Sequence, residues 1–243
     1  MAAAFAWGTL TASSLVVGAL VALRFRIGLV TIGLVMAFGA GVLISAVAFD
    51  LVAEAARTSS GHGATIIGIF AGCGVFFGGD YLIDRIGGAH RKKAAGTTDK
   101  SAALGIVLGT VLDGVPESAV IGLTIHANGS IGISYAVSVL ISNVPEALSS
   151  TAGLREGGWP RSRILWMWTG IALVSGVASL LGYVLFAHAG NDIVAFVLAF
   201  AGGAILTMLA DTMMPEAYRY GGKLVGVITT LGFATAFVMQ TFD

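Results

Sequence analysis

Two short segments of this chain place acidic residues beside proline in otherwise apolar sequence. The first reads LDGVPESAVIGL and carries Asp113 and Glu117 four residues apart. The second reads SNVPEA and carries Ser142, Asn143 and Glu146. Residues four apart lie on one face of a helix, so each segment presents its oxygen donors together. Acids in apolar surroundings are costly unless they have partners, so these two segments are the first candidates for a functional site.

Each segment also carries a proline inside what reads as a helix. Proline removes a backbone amide, so we expect helix kinks at Pro116 and Pro145 that bare the carbonyls of Leu112 and Ile141. Carboxylates, an amide oxygen, a hydroxyl and bared carbonyls are ligands for hard cations. The two segments therefore predict a cation site. The alternative is that the three acids are protonated or hydrogen-bonded structural groups at a helix interface.

The composition indicates the environment of these acids. The chain has 243 residues, of which 56% are hydrophobic and 11% charged, and its formal net charge is +0. Its mean hydropathy is +0.91. A helix needs about 20 apolar residues to cross a bilayer, and runs of that kind recur along the whole sequence. We predict an all-α polytopic membrane protein that forms a single transmembrane domain over residues 1–243. Its eight transmembrane helices are expected at approximately 5–23, 30–54, 64–84, 102–126, 130–153, 163–187, 192–216 and 221–240.

Basic residues indicate the orientation of these spans. Twelve of the 13 Lys and Arg residues fall in one set of alternating loops, and only Arg57 falls in the other. By the positive-inside rule both termini are extracytoplasmic, and residues 87–101 form a cytoplasmic loop between spans three and four. Cys73 is the single cysteine, which excludes an intramolecular disulfide. We expect an integral membrane protein of a bacterial-type inner (plasma) membrane, without a nucleic-acid partner.

The sequence repeats itself twice. Val115-Pro116-Glu117 recurs 29 residues later as Val144-Pro145-Glu146, and GVLISAVAFDLVAEA at 41–55 resembles GAILTMLADTMMPEA at 203–217. In each pair the predicted spans run in opposite directions, which is typical of the inverted repeats of transporters. Of the remaining acids, Asp50 and Asp211 fit either a relay or an interhelical hydrogen bond. The acids at span ends are expected to face the membrane interfaces: Glu54, Asp80, Asp84 and Glu216.

At these residues the chain resembles the ZIP (Zrt/Irt-like) family of divalent metal transporters. The resemblance covers eight spans, the cytoplasmic loop after the third, and the Pro-Glu motifs of the fourth and fifth, which here read DGVPES and SNVPEA. It implies that Glu117 and Glu146 are metal ligands, that Asp113 replaces a ligand histidine, and that Asn143 and Ser142 stand beside them. It also implies a homodimer and a moving unit of spans one, four, five and six.

The chain departs from the family's pattern at a second metal position. An asparagine of the fourth span and a glutamate of the sixth are replaced here by Gly114 and Ser179. The first position then keeps oxygen ligands alone, which suit manganese and magnesium as well as zinc. We rank zinc first on the resemblance, with iron, manganese and cadmium as other candidates.

The predicted function is import of a divalent cation by alternating access through a carboxylate-rich site between spans four and five. The metal is the substrate, and no cofactor or enzymatic activity is expected. The expected partners are the metal ion, the lipid bilayer and a second copy of the chain. One alternative is an intramembrane hydrolase of the polyprenyl-pyrophosphate type, which also uses an acid four residues before a glutamate. A hydrolase of this type is expected to hold its phosphate with an intramembrane arginine, and the predicted spans place every arginine in a loop or at a helix end. A non-transporting metal sensor is the other alternative.

Overall fold

The computed structural model describes residues 1–85, 100–129 and 131–241, and within these ranges every regular element is helical. Most of the predicted loop at 87–101 lies outside the described residues. Several helices begin directly after a glycine in extended conformation, namely after Gly28, Gly61, Gly132 and Gly190. The long helical segments are α1 (Ala2–Arg24), α2 (Leu29–Thr58), α3 (His62–Ile83), α4 (Lys100–Asn128), α5 (Ile133–Glu156), α6 (Arg161–Leu185), α7 (Asn191–Gly221) and α8 (Leu224–Gln240).

Six of these segments are long and apolar enough to cross a membrane: α1, α2, α3, the Gly105–Ala127 part of α4, α6 and α7. The helix α8 is apolar but has 17 residues. The helix α5 has 24 residues and carries Glu146, Arg155 and Glu156 among several serines. The chain is therefore an integral membrane protein whose described elements are all helical, while the count of eight crossings and the exported termini stay predictions.

Two hydrogen bonds between helix ends report the relative directions of α2 and α7 and of α1 and α5. The end of α2 meets the start of α7, where the Ser60 amide donates to Asp192 Oδ1 over 2.8 Å. At the opposite end, Arg155 Nη1 of α5 donates to the Ala22 carbonyl of α1 over 3.2 Å. Both contacts fit an up-and-down arrangement of consecutive helices.

The helices pack as two groups. The α1 bundle consists of α1, α4, α5 and α6, and the α2 bundle consists of α2, α3, α7 and α8. One hydrophobic cluster, which includes Leu15, Ile106, Leu154 and Trp168, draws its members from the helices of the α1 bundle alone. The two bundles meet where α2 packs on α5 and where α4 packs on α7.

Glycines bring helix backbones together inside each bundle. A Cβ added at Gly203 of α7 would lie 2.1 Å from a carbonyl oxygen of α3, and one at Gly41 of α2 would lie 1.9 Å from a carbonyl oxygen of α8. These two glycines occupy the same place in the 41–55 and 203–217 repeat. Where the bundles meet, Gly39 of α2 instead has side-chain carbons of Pro145 and Met213 nearest to it, each at 3.0 Å. Backbone-to-backbone packing of this kind holds each bundle together more tightly than side-chain contact holds one to the other.

The helices α2 and α7 each contain a π-helical turn, at Val47–Ala53 and Leu209–Met213. The two turns begin at equivalent positions of the repeat. By contrast, α4 and α5 run through Pro116 and Pro145 as uninterrupted α-helix, so the expected kinks do not break either helix. Neither of these two π-helical turns contains a proline.

Candidate metal site

Glu117 of α4 and Glu146 of α5 line one narrow cavity at the junction of the two bundles, together with Ser142 and Asn143 of α5. The cavity has about 10 Å³ for the centre of a water-sized sphere. That is room for one water molecule or one dehydrated ion and too little for an ion with its hydration shell. The rest of its wall is formed by Met36, Leu43, Ser149, Met208, Met213 and Glu216.

A second cavity, also of about 10 Å³, lies on the side of α1 and α6. Glu117, Asn143 and Glu146 line this cavity too, with hydroxyl groups of Thr110, Ser118 and Ser175 among its other neighbours. The three predicted site residues therefore stand between two small cavities. Both cavities offer oxygen donors from the α1 bundle.

Hydrogen bonds fix the side chains around Glu146. The Thr110 hydroxyl donates to Glu146 Oε1 over 2.8 Å. Asn143 Nδ2 donates to the Thr11 carbonyl over 3.4 Å, and Ser142 Oγ donates to the Val139 carbonyl over 3.0 Å. Because Asn143 and Ser142 use hydrogens within the protein, what they have left for a ligand is mainly oxygen lone pairs. This donor set fits a divalent cation.

Glu117 is anchored from its backbone. Its side chain is 3% exposed, and its carbonyl accepts a hydrogen bond of 3.4 Å from the buried Tyr135 hydroxyl of α5. This contact joins α4 to α5 near the cavity. It holds in place the two helices that carry the paired glutamates.

Asp113 faces a different part of the molecule from Glu117. It is 6% exposed and lines a separate small cavity with Phe76, Ala204 and Met208, against α3 and α7. Four residues along a helix correspond to a rise of about 6 Å and a turn about 40° past a full rotation, which is enough to place the two acids beside different neighbours. Met208 lines both this cavity and the one at Glu117.

The expected position of Glu216 was also wrong. This residue was expected to face a membrane interface, yet it is 8% exposed and lines the same cavity as Glu117 and Glu146. Its Oε1 accepts a hydrogen bond of 2.7 Å from Ser149 Oγ of α5. A signal was present in the sequence, since Pro215-Glu216 is a third Pro-Glu pair among only four prolines.

The two deeper acids, Asp50 and Asp211, differ from each other. Asp50 lies on the π turn of α2 and accepts hydrogen bonds from Ser134 Oγ of α5, over 3.3 Å, and from the Gln240 amide of α8. This is the interhelical hydrogen bonding that the sequence left open. Asp211 lies exposed on the π turn of α7.

Ser179 and Gly114, which stand where the family has ligands of a second metal, make other contacts in this structure. Ser179 is fully buried and donates to the Ala4 carbonyl over 2.8 Å. Gly114 lines the second cavity, where an added Cβ would have only Ser175 Oγ near it, at 3.6 Å. Within the described ranges, no three His, Cys, Asp or Glu side chains converge on a ready-made metal site.

Comparison with known proteins adds to this geometry. No protein-family model matches the chain. The zinc transporter GufA of Myxococcus xanthus is 30% identical to it over 188 residues, which cover 74% of this chain and 74% of GufA. An identity of this size, spread over about three quarters of both proteins, reflects a shared fold and common descent. The chain belongs to the family of the zinc transporter GufA.

Proposed function

We propose that this protein is a divalent metal transporter of the ZIP type, which moves zinc into the cytoplasm by alternating access. The observation that carries the proposal is the meeting of Glu117 and Glu146, one from each Pro-Glu repeat, in one cavity between the two bundles. A relative that is a zinc transporter supports the choice of substrate. We also propose that the protein resides in a bacterial-type inner (plasma) membrane and that it assembles as a homodimer.

The arrangement of the bundles supports the mechanism. Alternating access needs one unit to move against another around a shared site. Here the α1 bundle carries Glu117, Glu146, Asn143 and Ser142, while the α2 bundle supplies the facing wall through Met36, Met208 and Met213. Close backbone packing within each bundle favours rigid-body motion, because packed interfaces switch between discrete arrangements instead of deforming continuously.

Donor chemistry sets the range of ions. Carboxylate, amide and hydroxyl oxygens accept zinc and manganese alike, so the first ligands alone do not exclude either metal. The three methionine thioethers on the facing wall are softer donors, which suit cadmium and zinc better than magnesium. We therefore expect zinc first, with cadmium, iron and manganese as weaker substrates.

The hydrolase alternative requires Asp113 and Glu117 to act on one phosphorylated substrate. The two acids line different cavities, and the cavity at Glu117 has about 10 Å³ of room for a sphere centre. A pyrophosphate group is far larger than a single water molecule. The geometry therefore favours a small cation over a phosphate ester.

Zinc uptake by proteoliposomes tests the proposal and separates a transporter from a sensor. Glu117→Ala and Glu146→Ala should each lower uptake by about 100-fold, and the double variant should be only slightly worse, because groups that act as a unit are not additive. Glu54→Ala, at an exposed glutamate outside the cavity, is the matched control. Zinc binding without uptake by the wild type would favour a sensor, and wild-type uptake by both single variants would return the acids to a structural role.

Asp113 lies four residues before Glu117 in the sequence. Metal selectivity tests whether Asp113 contacts the ion during transport. Asp113→His exchanges a charged oxygen for a neutral nitrogen, which favours zinc over manganese. If Asp113 meets the ion during transport, the ratio of zinc to manganese uptake should rise by about tenfold, which corresponds to 1.4 kcal/mol. An unchanged ratio in a folded, active variant would remove Asp113 from the pathway.

A further inference from the structure

Glu216 occupies a place in the cavity that neither Glu117 nor Glu146 can occupy. It lies on α7, in the turn that follows the π turn Leu209–Met213, and therefore belongs to the α2 bundle. Glu117 and Glu146 belong to the α1 bundle, yet all three carboxylates line the same cavity. The cavity thus carries acids from both bundles.

Ser149 defines the level of Glu216 along α5. Ser149 is 1% exposed and donates its hydroxyl hydrogen to Glu216 Oε1 over 2.7 Å. It follows Glu146 by three residues, so the two residues lie one helical turn apart on one face. Glu216 is accordingly displaced along α5 from the level of Glu146 by about one turn, or about 5 Å.

Beyond Ser149, α5 ends at a larger opening. Ala152 and Arg155, the next two residues at three-residue spacing after Ser149, line a cavity of about 390 Å³ together with Arg26 of the α1–α2 connection. That connection and the end of α5 lie on the side that the distribution of basic residues assigns to the cytoplasm. Along the axis of α5, the level of Glu216 therefore lies between that of Glu146 and that of the wide cavity at the end of the helix.

We infer that Glu216 receives the ion from Glu117 and Glu146 and is the release-side carboxylate of the transport path. This inference rests on the proposed function. An ion held by two carboxylates of one bundle leaves more readily when a carboxylate of the other bundle offers a new ligand, because exchange of ligands avoids a bare ion in the membrane interior. The Ser149 hydroxyl keeps the carboxylate of Glu216 aimed at α5 until the ion arrives.

The chain offers a matched control for this residue. Glu54 is the repeat counterpart of Glu216, at the same place in the 41–55 and 203–217 repeat. Its side chain is 48% exposed, and it pairs with Arg57 over 3.6 Å. Neutralising Glu54 removes the same charge from the same sequence context without touching the cavity.

The experiment compares Glu216→Gln with Glu54→Gln in zinc uptake by proteoliposomes and in zinc binding by calorimetry in detergent. Glutamine keeps an oxygen that accepts the hydrogen bond from Ser149 and removes only the charge. Glu216→Gln should slow uptake by about tenfold or more while zinc affinity stays within about threefold of the wild type, because the binding pair is intact. Glu54→Gln should transport as the wild type does.

The outcomes are distinguishable. Wild-type uptake by Glu216→Gln, or an equal loss in Glu54→Gln, overturns the inference and leaves the proposed function standing. Absence of zinc uptake by the wild type overturns both. If Glu216→Gln does not fold, Glu216→Asp, which keeps the charge but withdraws it by one methylene, should still slow uptake severalfold, and a wild-type rate in that variant also overturns the inference.

Discussion

Thr110 gives the most direct test of the geometry around Glu146. Its side chain is 3% exposed, and its hydroxyl donates to Glu146 Oε1 over 2.8 Å. A hydrogen bond to a charged group contributes about 1.5–3 kcal/mol. Thr110→Val removes the donor and keeps the shape of the side chain. Without the donor, the carboxylate of Glu146 is no longer held in one orientation before the metal binds.

The expected loss of zinc affinity follows from these magnitudes. The whole hydrogen bond corresponds to about 10–100-fold in affinity at 1.4 kcal/mol per factor of ten. Part of this free energy stabilises the metal-free and the metal-bound protein equally and does not change the affinity. We therefore expect zinc affinity to fall by about tenfold in Thr110→Val. Calorimetry in detergent measures the affinity, and the KM for zinc in proteoliposomes should rise in parallel. Thr110→Ser, which keeps the hydroxyl, is the control and should bind within about threefold of the wild type. Tight binding by the valine variant, or an equal loss in the serine variant, would refute the assigned role of this contact.

Two further predictions concern the fold. In a Cys73→Ala background, single cysteines at the exposed positions Ser60 and Arg161 should react with an impermeant maleimide from the external and cytoplasmic sides respectively, and labelling of both from one side would contradict the predicted topology. Gly122→Ala should lower the midpoint of thermal unfolding, because its Cβ would lie 1.8 Å from a carbonyl oxygen of α6 and overpacking costs about 1–3 kcal/mol. Gly74→Ala, whose Cβ would have no atom of another helix within 4 Å, should unfold at or slightly above the wild-type midpoint. Equal midpoints for the two variants would show that α4 and α6 do not approach closely.

The helices were predictable from the sequence because apolar runs in a membrane protein leave few alternatives to helix. The pairing of Glu117 with Glu146 was also accessible, because the two Pro-Glu repeats mark the same place on α4 and α5. The position of Asp113 was not accessible. Spacing of four residues predicts a shared face, whereas the side chains that meet that face come from α3 and α7, and no local pattern in α4 reports them.

The π turns and the burial of Glu216 were missed for related physical reasons. A π turn adds one residue to a helical turn and rotates every later side chain about the helix axis. Periodicity counted through Leu209–Met213 at 3.6 residues per turn therefore gives the wrong face for the residues that follow. Glu216 comes three residues after that turn, so its apparent position at the end of a span did not predict the cavity it lines.

The inverted repeat explains why counterpart glutamates meet different surroundings. Because α2 and α7 run in opposite directions, Glu54 and Glu216 lie at opposite ends of the molecule, and only Glu216 is buried against α5 in this structure. The counterpart of Ser149 in the Val-Pro-Glu repeat lies on α4. That residue, 29 positions earlier, is Val120, which has no hydrogen to donate. Glu54 therefore has no counterpart of the Ser149 contact and stays outside the transport path, so only the end of the path that carries Glu216 has an aligned carboxylate.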